Sequence, residues 1–195
     1  YYSRDRFAFN ENEKYGYGNM NVSAHWRSFF SEKLIGNFSV GYDHYDYLND
    51  ETTVPSQAAR LSFAINQYFA KANFSLNQEK HKLKFGASTL FYNISSGKYE
   101  PLGKESVVAF DELQKDKALE SAFYLDDEWE VTPKLSLNAG IRYSIYNALG
   151  PRDYYAYQPG TLPSESTVVD TVQVTGNKML KTYHGPEFRL SGRYS

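Results

Sequence analysis

The chain has no cysteine, so disulfides and thiolate metal sites are excluded. It has no apolar run near the roughly 18 residues that a membrane helix needs. It has little charge imbalance: a formal net charge of -2 favours neither nucleic acid nor an anionic surface. The opening stretch YYSRDRFAFNENEKYGYG lacks the apolar segment of a signal peptide and starts without Met, so a mature or fragmentary chain is expected. Mean hydropathy is also low, at -0.61. That value does not exclude a membrane β-barrel, because every second residue of its strands faces water.

What the chain has in plenty is aromatic residues, 18 Tyr and 13 Phe, a composition that favours strands and wet–dry boundaries. Period-two alternation recurs about seven times. Its clearest instance follows Trp129. Leu135, Leu137, Ala139, Ile141, Tyr143 and Ile145 fall on one parity, and Ser136, Asn138, Gly140, Arg142 and Ser144 on the other. Comparable runs begin near Asn19, Leu34, Leu61, Lys82, Leu119 and Pro186. The expected fold is all-β: an antiparallel up-and-down meander of about seven long strands. Between Ile94 and Lys117, VVAFDELQKDKAL reads as a short helix or a loop, and STVVDTVQV reads as a loop strand. The chain opens in what reads as the tail of a long loop.

The connections alternate. SEK, NQEKH and TPK are within ordinary hairpin range, whereas the intervening links read as about 12, 24 and 37 residues, well beyond it. In a meander, alternate links lie at opposite ends, so one end is trimmed and the other elaborate. Outer-membrane barrels have tight periplasmic turns and long outer loops. A soluble barrel alternates too, with its apolar face inward. Three features favour lipid over a protein core. The alternating runs reach about 9 to 15 residues, against the 9 to 11 that a tilted membrane strand needs. The polar parity carries Glu128, Glu130, Asn138, Arg142, Glu187, Arg189 and Arg193, too much charge for a dry interior. Aromatics gather near both sets of links: Phe29, Phe30, Phe74 and Trp129 at the short ones, and Tyr42, Tyr45, Tyr47, Phe91, Tyr92, Tyr143 and Tyr146 at the long ones. Two belts of this kind are a barrel's girdles. Asp127 shares the parity of Phe123 and Leu125 and has to sit at the rim.

Seven is odd, and closed bacterial barrels take even numbers. The final run stops at Ser195, and the expected whole is a larger barrel of which this chain is a piece. At ALESAFYLDDEWEVTPKLSLNAGIRYSIYNALGP the sequence resembles the barrel of TonB-dependent outer-membrane transporters, especially the branch common in Bacteroidota. The resemblance rests on FYLDDEW, the TPK turn, LSLNAGIRYS and a loop opening NALGP, and it continues in YHGPEFRLSGRYS. It spans about Ala118 to Gly150 and Gly185 to Ser195 and is weaker before that. It implies a 22-stranded barrel in the outer membrane, an N-terminal plug within it, and a plug segment that TonB pulls. It leaves open a surface lipoprotein lid. On this reading residues 1–195 are one segment of the barrel domain, without the plug, and its partners are the lipid bilayer, the plug and, through the plug, TonB.

Several constellations invite chemistry. Asp43, His44 and Asp46 are ingredients of a metal site, but Asp43 and His44 point to opposite faces of a strand and no third ligand is evident beside His44 and Asp46. His25, His44, His81 and His184 are scattered and no nucleophile motif accompanies them, so no enzyme is expected. GYG has no helix after it and makes no phosphate loop. No cofactor and no nucleic acid are expected. Glu128, Arg142, Glu187 and Arg189 are expected to face the lumen as cross-strand pairs, plug contacts or tuners of a charged solute. In PRDYYAYQPG, Tyr154, Tyr155 and Tyr157 offer flat faces and hydroxyls for capture of a sugar, peptide or siderophore, or pack the loop on itself. The leading expectation is energy-coupled import of a scarce solute: an iron chelate, cobalamin, a glycan or a peptide. The alternatives are a passive or structural outer-membrane barrel and a soluble, aromatic-rich carbohydrate-binding β-domain.

Overall fold

The computed structural model describes residues 1–8 and 10–194. Eleven strands account for most of them: β1 (Tyr2–Ala8), β2 (Glu13–Phe29), β3 (Leu34–Glu51), β4 (Ala59–Asn77), β5 (His81–Pro101), β6 (Asp111–Glu112), β7 (Asp116–Thr132), β8 (Leu135–Leu149), β9 (Arg152–Tyr157), β10 (Val168–Val174) and β11 (Met179–Tyr194). One antiparallel sheet runs β1-β2-β3-β4-β5-β7-β8-β11, with β6 attached to β5, and β9 and β10 form a separate hairpin. The expected all-β meander is therefore present, and its seven long strands are β2, β3, β4, β5, β7, β8 and β11. They are 15 to 21 residues long, longer than the alternating runs implied. Ser195, the last residue of the seventh run, lies outside the described residues.

At the trimmed end, two of the three short turns are capped by a hydroxyl. Ser31 Oγ accepts the N–H groups of Lys33 and Leu34, and Thr132 Oγ1 accepts those of Lys134 and Leu135. Such side chains satisfy turn amides that a tight reversal leaves open. At the other end the links are residues 52–58, 102–115 and 150–178, shorter than expected because the strands run on into them. One reading is corrected here. Residues 2–8 are a strand, not a loop tail: β1 pairs with β2 from Tyr2 opposite Met20 to Ala8 opposite Lys14. Asn10 Oδ1 takes the N–H groups of Asn12 and Glu13 at 2.8 Å, an Asx turn that reverses the chain. Of the two readings of VVAFDELQKDKAL, the loop holds: it contains no helix, only the two-residue β6 and, from Asp116, the start of β7.

Among the described residues there is no globular core. Only Ala58, Ala59, Ala118 and Ala122 are buried apolar residues, and no large side chain is fully buried. The accessible surface is 13511 Å². A compact protein of 22.4 kDa exposes roughly 9,400 Å². Ile141 is 43 % and Phe188 74 % exposed. A soluble barrel would bury them.

Register fixes two faces across the sheet. Leu137, Ile141 and Tyr143 on β8 lie opposite Trp129, Leu125 and Phe123 on β7. Leu125 and Phe123 lie opposite Phe85 and Ala87 on β5, which lie opposite Phe74 and Ala72 on β4. We call this the Leu137 face. The other, the Arg142 face, carries Tyr124 and Glu187 beside Arg142. On the Leu137 face, apolar residues and glycine run unbroken from Leu34 to Tyr42 on β3 and from Tyr68 to Leu76 on β4. β5 has the same stretch from Leu83 to Phe91, interrupted only by Thr89. Each stretch is nine residues long. Thr89 is no exception in energy, because its hydroxyl meets Ser121 Oγ across the strand pair at 3.2 Å. One row further from the short turns, the same face turns polar, with His44, Asn66, Asn93 and Lys117 side by side.

Candidate functional site

The Arg142 face has two zones. Beside the short-turn half it is a polar wall. Arg142 sits 3.8 Å from Glu120 and 3.8 Å from Glu187, and Ser144 Oγ donates to Glu187 at 2.6 Å while accepting from Arg142 Nε. Of the expected set, the structure joins Arg142 to Glu187. Arg189 lies one row lower, opposite Gly140, and Glu128 one row below that, opposite Asn138. Among the described residues neither forms an ion pair. Glu120 was missed; its parity on β7, shared with Tyr124 and Glu128, is the signal that places it on this wall.

Aromatic rings lie flat on this wall over glycines. A Cβ on Gly86 would meet the Tyr124 ring at 2.8 Å and would run into Ala72 O. The Tyr124 hydroxyl passes over β5 and donates to Asn73 Oδ1 on β4 at 2.9 Å. Phe69 lies over Gly41 in the same manner, with its Cζ 2.5 Å from where a Cβ would stand.

Towards the long links the Arg142 face becomes aromatic. Tyr45, Tyr47, Ile65, Phe63, Leu61 and Tyr99 line it, and Phe7 stacks on Tyr15 at 5.3 Å. Leu113 from the 102–115 link reaches Phe63 over Gly97. The expected outer girdle is accordingly split. Tyr42, Phe91 and Tyr143 are on the Leu137 face, whereas Tyr45, Tyr47, Tyr92 and Tyr146 are on the Arg142 face, because their parity is opposite. A girdle needs one parity, and nearness to a long link does not supply it.

At the far end stands the β9–β10 hairpin. Arg152 pairs with Asp116 at 2.8 Å and Asp153 N–H donates to Gln114, so the hairpin is tied at its base. Tyr154 pairs with Val172 and Tyr155 with Thr171. The pleat therefore puts Tyr155 and Tyr157 on one face of the hairpin and Tyr154 on the other, all three exposed or nearly half exposed. STVVDTVQV does form a loop strand, β10.

The two other constellations resolve locally. His44 Nε2 is 3.3 Å from Asp46 Oδ1 on the Leu137 face, and the third group at Asp46 is the Arg4 guanidinium at 3.2 Å. A metal site needs a donor there, not a cation. Asp43 faces the other way, held by Asn21 and Gln67 amides. Asp127, opposite Leu83 two residues from the end of β5, accepts a hydrogen bond from His81 Nδ1 at 2.8 Å, while the His81 ring stacks on Trp129 at 5.6 Å. That is the rim position its parity requires.

The family described as TonB dependent receptor-like, beta-barrel matches residues 1–175. The chain belongs to this family. The match includes the opening half, where the motif resemblance is weaker, and ends before β11. The family is one of receptors and transporters, not enzymes, and its barrels lie in the outer membrane. None of the curated proteins matches the chain in sequence. Several solved structures share the fold. A copper transporter, OprC, has a TM-score of 0.64 at 13 % identity over 93 % of this chain. BauA, the ferric preacinetobactin receptor from Acinetobacter baumannii, has 0.55 at 14 % over 91 %. The chain spans 29 % and 28 % of their lengths. The Leu137 face thus carries the apolar band and the Arg142 face the charged wall.

Proposed function

We propose that this chain is wall of an energy-coupled outer-membrane transporter, with residues 1–195 forming one segment of the barrel domain. The observation that carries the reading is the nine-residue apolar stretch repeated on β3, β4 and β5, ending on one row of aromatics. Nine to 11 residues is what a tilted strand needs to cross the hydrocarbon. A plug encoded elsewhere in the same protein fills the lumen against Glu128, Arg142, Glu187 and Arg189, and TonB acts on that plug. The motifs FYLDDEW, TPK and NALGP support the branch common in Bacteroidota. A surface lipoprotein lid, where one is present, would close over residues 150–178.

The imported solute is a scarce one: an iron chelate, cobalamin, a glycan or a peptide. That a copper transporter and a ferric preacinetobactin receptor share the fold is in keeping with this class. Tyr154, Tyr155 and Tyr157 are the proposed contacts on the loop hairpin, with Tyr155 and Tyr157 acting together. The aromatic mouth behind them offers ring faces for the same solute. The test is uptake by cells carrying the full-length gene. Uptake that stops when TonB is removed supports the reading. Uptake indifferent to TonB means a passive barrel, and full-length protein that stays in the aqueous phase without detergent removes the membrane reading altogether.

A further inference from the structure

Beyond the row of His44 and Asn66, the two faces of β1 to β5 differ in charge as sharply as in polarity. Strand parity sorts the charges. Arg4, Arg6, Lys14, Arg60 and Lys98 stand on the Leu137 face. Asp5, Glu13, Glu51 and Asp111 stand on the Arg142 face: Asp5 lies opposite Tyr17, Glu13 opposite Glu51, and Asp111 opposite Tyr99. On that face β1 to β5 carry no lysine or arginine between the row of Lys71 and the long links. Among the described residues none of the four carboxylates forms an ion pair. Like charges directly across a strand pair, as Glu13 and Glu51 are, repel.

Beside these carboxylates, between the 52–58 and 102–115 links, lies a recess of about 480 Å³. Val54, Leu61, Tyr99 and Val108 wall it, and Asn49 and Glu51 are among its polar groups. The two links are fastened to each other by Val107 N–H to Ser56 O at 2.9 Å and by Ser106 Oγ to Ala58 O at 2.6 Å, so the recess is preformed. Its acceptors are short of donors. Glu51 takes a hydrogen bond from Thr53 Oγ1 at 3.1 Å, and Asn49 Oδ1 has no partner although it is screened from water. A turn about the broad χ2 of Asn49 brings that oxygen to the recess its side chain lines. Ring faces stand close by. Besides Tyr99 there is Tyr15, whose hydroxyl is pushed above its ordinary pKa by burial first and then by Glu13, Tyr47 and Glu51.

Unpaired negative charge, ring faces and missing donors call for one kind of occupant. An ammonium or guanidinium is attracted to carboxylates and ring faces alike and brings several N–H groups. A bare metal ion fits less well. Among the described residues no three histidine or acidic side chains converge as ligands, and the walls of the recess are apolar.

We infer that this recess takes the cationic end of the solute, an ammonium or guanidinium on an apolar body, and that the acidic mouth around it draws such solutes in and turns anions away. This deepens the transporter reading and rests on it, since on that reading the Arg142 face is the lumen side. The test uses the full-length protein in neutral detergent, titrated by calorimetry with phenylpropylamine, its N-acetyl derivative, phenylbutyrate and calcium chloride. The amine is expected to bind about fivefold or more tighter than the neutral probe, and the acid most weakly, with the gap narrowing as salt rises. Glu51→Gln with Asp111→Asn should remove most of that preference, while Glu79→Gln, at the short-turn end, should leave it intact. Should the double variant fold poorly, Glu51→Gln alone is expected to lose part of the preference. Equal binding of the amine and its N-acetyl derivative overturns the inference, as does a preference unchanged in the double variant, or calcium displacing the amine at equal concentration. A failed transporter reading shows separately, as uptake indifferent to TonB, and leaves these titrations as they are.

Discussion

Each long strand is two different objects end to end. In the half beside the short turns, the Leu137 face is apolar and the Arg142 face charged. In the half beside the long links, the faces exchange character: Asp46, Ser62, Arg60 and Lys98 look one way, and Tyr47, Phe63, Leu61 and Tyr99 the other. The pleat does not change between the halves; the solvent does. On the proposed transporter reading, hydrocarbon surrounds the first half and water the second, so the second half is built like a soluble barrel, with its apolar side turned in. The exchange falls between Tyr42 and His44 on β3 and between Tyr68 and Asn66 on β4. On the same reading, that row marks where the bilayer ends.

Substituting the same residue in both halves tests the comparison. Ile141→Arg places a charge in the middle of the apolar stretch of β8, and folding into lipid vesicles should become less favourable by about 2 to 4 kcal/mol. Ser62→Arg, on the same face but beyond the boundary row, should cost about 0 to 1 kcal/mol in the same titration. Equal costs would mean that no bilayer boundary lies between them.

Smaller effects sharpen the picture. Gly86→Ala drives a methyl into Ala72 O and the Tyr124 ring and should destabilise by about 1 to 3 kcal/mol by denaturant titration. Phe63→Ala removes the ring beside Tyr47 at 6.0 Å and under Leu113, with an expected loss of about 1 kcal/mol and faster proteolysis of the 102–115 link. Arg142→Gln, between two half-exposed carboxylates, should change stability by less than about 1 kcal/mol. A large loss there would mean that the wall is drier than its open geometry shows.

Much of this was legible in the residues. Alternation around Leu137 and Ile141 fixed strand and parity together, since a period of two leaves no other regular structure. Parity also put Arg142, Glu187 and Arg189 on one wall. What escaped had physical causes. Tyr45 and Tyr47 were grouped with Tyr42 by position along the chain, although odd and even residues face apart. β1 was hidden because its alternation is that of the wet half, where Phe7 points in and Arg4 and Arg6 point out. The Asx turn at Asn10 was its available signal. Which tyrosines of β9 act together depended on a pairing with β10 that lies outside the sheet and that local pattern does not reveal.

The flattened rings bear on how the sheet selects its alignment. Slipping one strand past the next by a single residue turns greasy side chains towards water and is forbidden outright. Slipping by two preserves every facing, so hydropathy alone would tolerate it. With Tyr124 bedded on Gly86 and hooked to Asn73, such a slip would drive the ring against Lys84 or Ser88. A vacant Cβ thus works as a keyway, admitting one alignment of three neighbouring staves and rejecting its near-degenerate rivals.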